Sequence, residues 1–234
     1  NLLNVIEAYV PYVSYAGVYS ENGFTVTATE LGENDVYAGS AGGFIGYASG
    51  AQISTCDVTY LKHTKVTPPD DLEAVNAPSY FDNNSAYAVT GGRYAGGFIG
   101  CMDIGSAASV GSGLSVLGDL LNLDNLLSAL NVVVTTIEQS DVTGGPGGYS
   151  VLATASAASG ALGMAGGFAG AINGGHIQDS NAHNFEYIIG QIAAGGYVGE
   201  MKPGDVTRVM EDASILNGLI SVDTSLASLL QTFV

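Results

Sequence analysis

Three side chains able to bind a metal or move a proton lie close together in this chain: His176, Asp179 and His183. Zinc needs such ligands to converge on one point. In an extended strand, residues three apart face opposite ways, so His176 and Asp179 are expected to diverge and no zinc site is predicted. Asp70, Asp71, Asp82, Asn83 and Asn84 offer the oxygen ligands that Ca²⁺ takes. They follow neither the EF-hand spacing nor a repeat-toxin nonapeptide, so they read first as solvated loop acids, with Ca²⁺ the alternative cofactor. Nucleophilic catalysis sets a Ser or Cys beside a His and an orienting acid, and the chain has no G-x-S-x-G elbow. Sugar-cleaving β-helices use paired carboxylates or a basic residue in a groove. Bases are few here, and no carboxylate pair is expected at matched positions, so no catalytic or metal residue is assigned.

Recognition chemistry is better represented. Residues 60–85 read YLKHTKVTPPDDLEAVNAPSYFDNNS, and they make the first half of the chain longer than the second between equivalent points. A long excursion on a repetitive scaffold is either a tolerated insertion or brace, or a recognition loop. On the second reading its ligand-binding candidates are Lys62, His63, Lys65, Asp70, Asp71, Tyr80 and Phe81. Tyr9, Tyr12, Tyr15 and Tyr19 form a run that offers sugar-stacking faces, or that half-buries as strand residues. Thr25, Thr27 and Thr29 alternate as an ice-binding array would, but their counterparts Ser150, Leu152 and Thr154 do not continue it.

The elements that must hold these residues are set by a repeat. Ala41-Gly42-Gly43-Phe44-Ile45-Gly46 returns as AGGFIG from Ala95, as AGGFAG from Ala165 and as AGGYVG from Ala194. Such self-similarity marks a stacked architecture. From Ala41 and from Ala165 the chain runs through a small-residue turn, Ser49-Gly50 or Asn173-Gly174-Gly175, to Ile53 or Ile177, which predicts strand, turn, strand. Stacking the copies puts Phe44, Phe98, Phe168 and Tyr197 in one inward column. Ile45, Ile99, Ala169 and Val198 are then expected to face the other way. The pairs Gly42-Gly43, Gly96-Gly97, Gly166-Gly167 and Gly195-Gly196 let backbones approach. Residues 19–29 alternate with period two, as a strand does, and residues 149–154 are their counterpart.

A longer period lies above this one. Asn1-Leu2-Leu3 returns as Asn125-Leu126-Leu127, and Asp124 returns as Asp223. The chain therefore divides into unit one (1–123, with the insertion at about 60–85), unit two (124–222) and the opening of a third (223–234). Each unit is expected to begin with a short helix, capped by Asp124 in the second unit and Asp223 in the third, with Asn1 at the position after the cap in the first. Leu126, Leu127, Leu130 and Val133 stand at helical spacing in the second. Residues 114–121 and 214–220 read as a second short helix in each unit.

The stretch AGGFIGYASGAQISTCDV resembles the GLUG repeat of bacterial surface proteins, whose copies carry a Gly-Gly-hydrophobic-hydrophobic-Gly run, a turn and an Ile-x-x-Cys. The match is close from Gly42 to Val58, looser from Gly166 to Ala182 and partial at Gly96 and Gly195. The resemblance implies a stacked β-solenoid in a secreted or wall-attached, adhesin-like protein. It brings no active-site motif with it.

Composition bounds the remaining possibilities. There are 34 glycines, no Trp and only 12% charged residues, which suits close-stacked strands rather than disorder. The net charge of −17 leaves no basic footprint for nucleic acid, and disfavours an anionic membrane surface. It suits solubility outside the cell and cationic partners. The apolar stretch at 114–134 is interrupted by Asp119 and Asp124, so no membrane insertion is expected. Cys56 and Cys101 occupy different repeat positions and read as two buried free thiols, with a disulfide the alternative. The chain reads as part of a longer protein.

These features predict a mainly β protein, a right-handed parallel β-solenoid with short helices at unit junctions. The expected role is non-catalytic: adhesion or surface architecture at a bacterial cell surface, with a host matrix protein or glycan as partner. A glycan-binding or glycan-processing β-helix is the alternative. Neighbouring units of the same chain, or head-to-tail copies, are further expected partners.

Overall fold

The computed structural model describes residues 10–32, 35–61, 87–105, 134–156 and 159–204. They form four coils of a parallel β-solenoid, each coil made of five short strands. Coil one runs β1 (Tyr12–Ser14), β2 (Gly17–Tyr19), β3 (Val26–Ala28), β4 (Ser40–Gly42) and β5 (Ile45–Ser49). Coil two runs β6 (Gln52–Ser54), β7 (Asp57–Tyr60), β8 (Val89–Gly91), β9 (Tyr94–Gly96) and β10 (Ile99–Asp103). Coil three runs β11 (Thr136–Glu138), β12 (Asp141–Gly144), β13 (Tyr149–Ala153), β14 (Met164–Gly166) and β15 (Ala169–Asn173). Coil four runs β16 (His176–Gln178), β17 (Asn181–His183), β18 (Phe185–Gly190), β19 (Ala193–Gly195) and β20 (Val198–Lys202). Equivalent strands of successive coils pair in parallel, giving five four-stranded sheets. The expected short helices fall outside the described residues, among which there is no α-helix.

Register follows the repeat. Ala41, Ala95, Ala165 and Ala194 lie opposite one another across β4, β9, β14 and β19. The motif is not one strand, however. Its first strand ends at the first glycine, the chain bends through Gly43-Phe44 and its equivalents, and a new strand starts at Ile45. This corrects the expectation that Phe44 and Ile45 point opposite ways. A bend resets the alternation, so Phe98, Ile99, Phe168 and Ala169 all enter one core, with Phe44, Ile45, Tyr197 and Val198 packed on its ends.

The glycines permit this bend. A Cβ on Gly96 would meet the carbonyl oxygen of Ile99 in its own coil, and would sit 2.7 Å from Phe168 O and 2.8 Å from Gly170 N in the next. The aromatics then stack along the solenoid axis, with centroids 5.0 Å apart for Phe44 and Phe98, 4.8 Å for Phe98 and Phe168, and 5.0 Å for Phe168 and Tyr197. Fully burying each such ring stabilises by roughly 1.5–3 kcal/mol, and each stacked pair adds about 0.5–1.5 kcal/mol.

A second ladder was not legible in the motif: Phe24, Tyr60 and Tyr149 stack at 4.8 and 5.0 Å, and Phe185 closes it edge-on at 6.2 Å. Its two inner members donate their hydroxyls to the bend glycines of the first ladder, Tyr60 to Gly97 O at 2.9 Å and Tyr149 to Gly167 O at 2.7 Å. Tyr60, assigned above to the insertion, is thus fully buried core at the end of β7.

Corners are built in columns as well. Tyr15, Thr55, Gln139 and Asp179 follow the first strand of each coil, all with φ near +50°. Inter-coil hydrogen bonds continue through this corner, from Thr55 N to Glu138 O at 3.0 Å and from Gln139 N to Gln178 O at 3.1 Å. The next residue carries a polar ladder: Cys56 N donates to Ser140 Oγ and Ser140 N to Ser180 Oγ, both at 3.1 Å. Cys56 and Cys101 are both free and buried. The strand expected over residues 19–29 is shorter than its pattern, because a turn with Gly23 N bonded to Ser20 O at 3.0 Å separates β2 from β3.

Candidate functional site

The candidate site lies on the outer face of the sheets formed by β1-β6-β11-β16 and β2-β7-β12-β17. Strand alternation sends Ile53, Val58, Ile137 and Val142 into the core, which leaves their neighbours facing solvent. Read along the axis, one outward column is Tyr12, Gln52, Thr136 and His176. Another is Tyr19, Thr59, Thr143 and His183. The corner column is Tyr15, Thr55, Gln139 and Asp179. In all three, the first coil supplies a tyrosine and the other coils supply polar residues.

Those tyrosines are strongly exposed: Tyr12 by 62%, Tyr15 by 84% and Tyr19 by 71%. The half-buried strand reading of the run is therefore corrected for these three, while Tyr9 lies outside the described residues. The Tyr12 hydroxyl is 3.4 Å from Ser54 Oγ, and hydrogen bonding to the Ser14 and Ser54 hydroxyls lowers its pKa from the ordinary phenol value. Beside Tyr19 an open cavity of about 320 Å³ is lined by Gly17, Val18, Tyr19, Asp57, Thr59 and Leu61.

Carboxylates do occupy matched positions, contrary to the sequence expectation: Asp57 and Asp141 lie opposite each other across β7 and β12. Their hydrogen bonds are those of a structural ladder. Asp57 Oδ1 accepts from Asp141 N at 3.3 Å, and Asp141 Oδ1 accepts from Asn181 N at 2.9 Å and from Asn181 Nδ2 at 3.0 Å. His176, Asp179 and His183 are all exposed, so the expected divergence of His176 and Asp179 is corrected by the corner that lies between them. They do not converge: among the described residues no three His, Cys, Asp or Glu side chains could hold one metal ion. His176 Nε2 instead lies 3.1 Å from Gln178 Oε1. The threonine series also breaks early. Thr27 and Thr90 are opposite each other, but Thr90 is buried and Leu152 follows.

On the far side of the coil, Tyr94, Cys101, Met164 and Ala171 form a separate buried cluster. Burial pushes the Cys101 thiol up to about 12, which keeps it protonated and unreactive at neutral pH. The seven candidates of the insertion, Lys62, His63, Lys65, Asp70, Asp71, Tyr80 and Phe81, lie outside the described residues, as do Asp82, Asn83 and Asn84. The coil resumes in register after them, with Val89 opposite Val26 and Val151. Leu61, on the rim of the cavity, is the last insertion residue described before the chain resumes at Tyr87. No helix among the described residues is long and apolar enough to cross a membrane.

The chain matches no protein-family model, no curated protein and no solved structure.

Proposed function

We propose that this chain is part of a secreted or wall-anchored bacterial surface protein, built of GLUG-like repeats, and acts there as a stiff, acidic, adhesive spacer without catalysis. The observation that carries this reading is the unbroken stack itself. Four coils stack through two aromatic ladders, with one register shift at Tyr149–Ser150 against β18, although long stretches of chain lie between β7 and β8 and between β10 and β11. A scaffold whose core repeats and whose corners vary suits presentation rather than turnover. The net charge of −17 suits an exposed extracellular surface and deters unspecific association with anionic polymers.

The test is a binding screen with beads coated in the protein, presented to immobilised matrix proteins and glycans, beside a variant lacking residues 62–86. Retention on at least one surface is expected. Loss of retention in the deletion variant would locate adhesion in that segment. No retention on any surface, by either form, refutes the adhesive part of the reading.

The alternative, a glycan-binding solenoid, is favoured by one specific observation: the three tyrosines that coil one turns to solvent.

A further inference from the structure

We propose that the outer face of the first coil is a carbohydrate-binding strip for a neutral glycan, centred on the cavity beside Tyr19 and flanked by Tyr15 and Tyr12. The proposal rests on the adhesive reading above and gives it a ligand class and a place.

Three observations carry it. First, the fold does not require these rings. At each of the three positions coils two, three and four place a polar residue in the same register, so the stack is complete without an aromatic there. Among the described residues the Tyr15 and Tyr19 side chains make no hydrogen bond or ring contact, and water meets most of both. Exposing so much aromatic surface forgoes a large burial term, so selection for stability does not account for it.

Second, Tyr15 holds its ring out from a backbone with φ of 53°. An L-residue there costs on the order of 1–2 kcal/mol, and a Tyr side chain, unlike Asn or Asp, cannot repay it with a local hydrogen bond. Thr55, Gln139 and Asp179 share this conformation, so the corner sets it, and only in coil one does it carry a strongly exposed Tyr ring.

Third, the cavity combines the groups that a sugar ring uses. A pyranose stacks its C–H face on an aromatic ring and offers hydroxyls to fixed acceptors and donors. Tyr19 and Leu61 supply apolar walls, Thr59 a hydroxyl and Asp57 a carboxylate, while Gly17 leaves the floor open. Among the described residues Asp57 accepts one backbone hydrogen bond, through Oδ1, which leaves its second oxygen to a sugar hydroxyl.

Charge selects among sugars. Among the described residues Asp57 is the only charged one lining the cavity, and the whole chain carries −17. A sulfated or uronic-acid polymer would meet repulsion with no cation among the described lining residues to offset it, whereas a neutral glycan meets none.

The experiment is affinity electrophoresis of the full chain in gels containing a soluble neutral glucan, mannan or galactan, with heparin as the anionic comparison. Tyr15→Ala, Tyr19→Ala and Tyr19→Phe variants run beside it, and melting and oligomeric state are measured for each. At least one neutral polysaccharide should retard the wild type, and heparin should not. Each Ala substitution should weaken retardation about tenfold, and Tyr19→Phe, which keeps the ring, should bind within about threefold of wild type. All variants should melt together, because these side chains are mostly exposed. The proposal is overturned if no neutral glycan retards the protein, if heparin retards it more, or if the Ala variants bind as wild type does. It is equally overturned if the Ala variants only dissociate a dimer, since the tyrosines would then serve a second copy. Beads that still adhere to matrix protein while glycan retardation is absent would reject this site and leave the adhesive reading standing.

Discussion

Replacing Phe98 by Ala removes a fully buried ring that lies between two others, Phe44 at 5.0 Å and Phe168 at 4.8 Å, nearly parallel to both. Truncating a buried Phe to Ala costs about 3–5 kcal/mol, and Phe98 belongs at the upper end because the coils on both sides restrain collapse of the cavity. The two lost ring pairs, about 1 kcal/mol each, are contained in that measured range, so the expected loss is roughly 5 kcal/mol. Phe44→Ala makes the same chemical change at the end of the ladder. Phe44 is half-buried and stacks on one neighbour only, which predicts roughly 2–3 kcal/mol. Equilibrium urea unfolding followed by circular dichroism measures both, with the slope checked for each variant because repeat arrays lose cooperativity when one coil is weakened. The discriminating quantity is the ratio. Equal losses at the two positions would refute the ladder as a shared column, and a larger loss at Phe44 would place the buried end of the stack at coil one.

Three further outcomes follow from geometry described above. Gly96→Ala should destabilise by about 2 kcal/mol or more, since its Cβ meets backbone on three sides; Gly147→Ala, where no atom lies within 4 Å but φ is +100°, should lose only its conformational strain of about 1 kcal/mol, and thermal melts of the pair decide whether close approach or conformation governs. Thr55→Asn should gain about 1 kcal/mol, or roughly 2–4 °C in melting temperature, because a β-branched residue at φ 54° is strained and Asn tolerates that region; an unchanged or lower midpoint would show that the Thr side chain supports the corner. Alkali should also unfold the protein. Burial holds Tyr94, Tyr197 and Cys101 at about 12 and raises Tyr60 and Tyr149 as well. All five are neutral in the folded state, while the unfolded thiol and phenols ionise near pH 9 and 10, so stability is complete below about pH 9 and falls as pH rises towards about 12. Melts at about pH 8, 10 and 11.5 test this; a midpoint that does not fall refutes it.

What the sequence showed in advance was translational. The offsets between AGGF-type copies predicted which residues share a column, and the alanine and Phe columns stand where those offsets put them. What it hid was rotational. A bend within Gly43-Phe44 turns two adjacent side chains into the same core, and period-two reasoning cannot see a bend. The second ladder was hidden for a related reason. Tyr60 lies opposite Gly144 by backbone register, yet its ring stacks on Tyr149 at the start of the next strand, so no alignment of copies brings the two together. Corner residues such as Asp179 misled the face assignment of the histidines because a left-handed residue breaks the alternation between β16 and β17. For the candidate site, the tyrosine run was visible as residues but not as surface. Tyr, Val and Thr all suit strands, and only the fold reveals which side of the sheet each one takes.

The parallel pairing of every strand has a mechanical consequence. All the hydrogen bonds between coils point along the axis, and each coil is joined to the next by a single crossing of the chain. Tension applied between the first and last coils therefore loads the interfaces in series, so the weakest yields first and its neighbours stay intact. One coil such as that from Tyr12 to Ser49, once peeled away, releases on the order of 100 Å of extended chain. A stack of this kind is expected to lengthen in steps under load, to dissipate work at each one, and to wind back onto the remaining edge as its template when the load is removed.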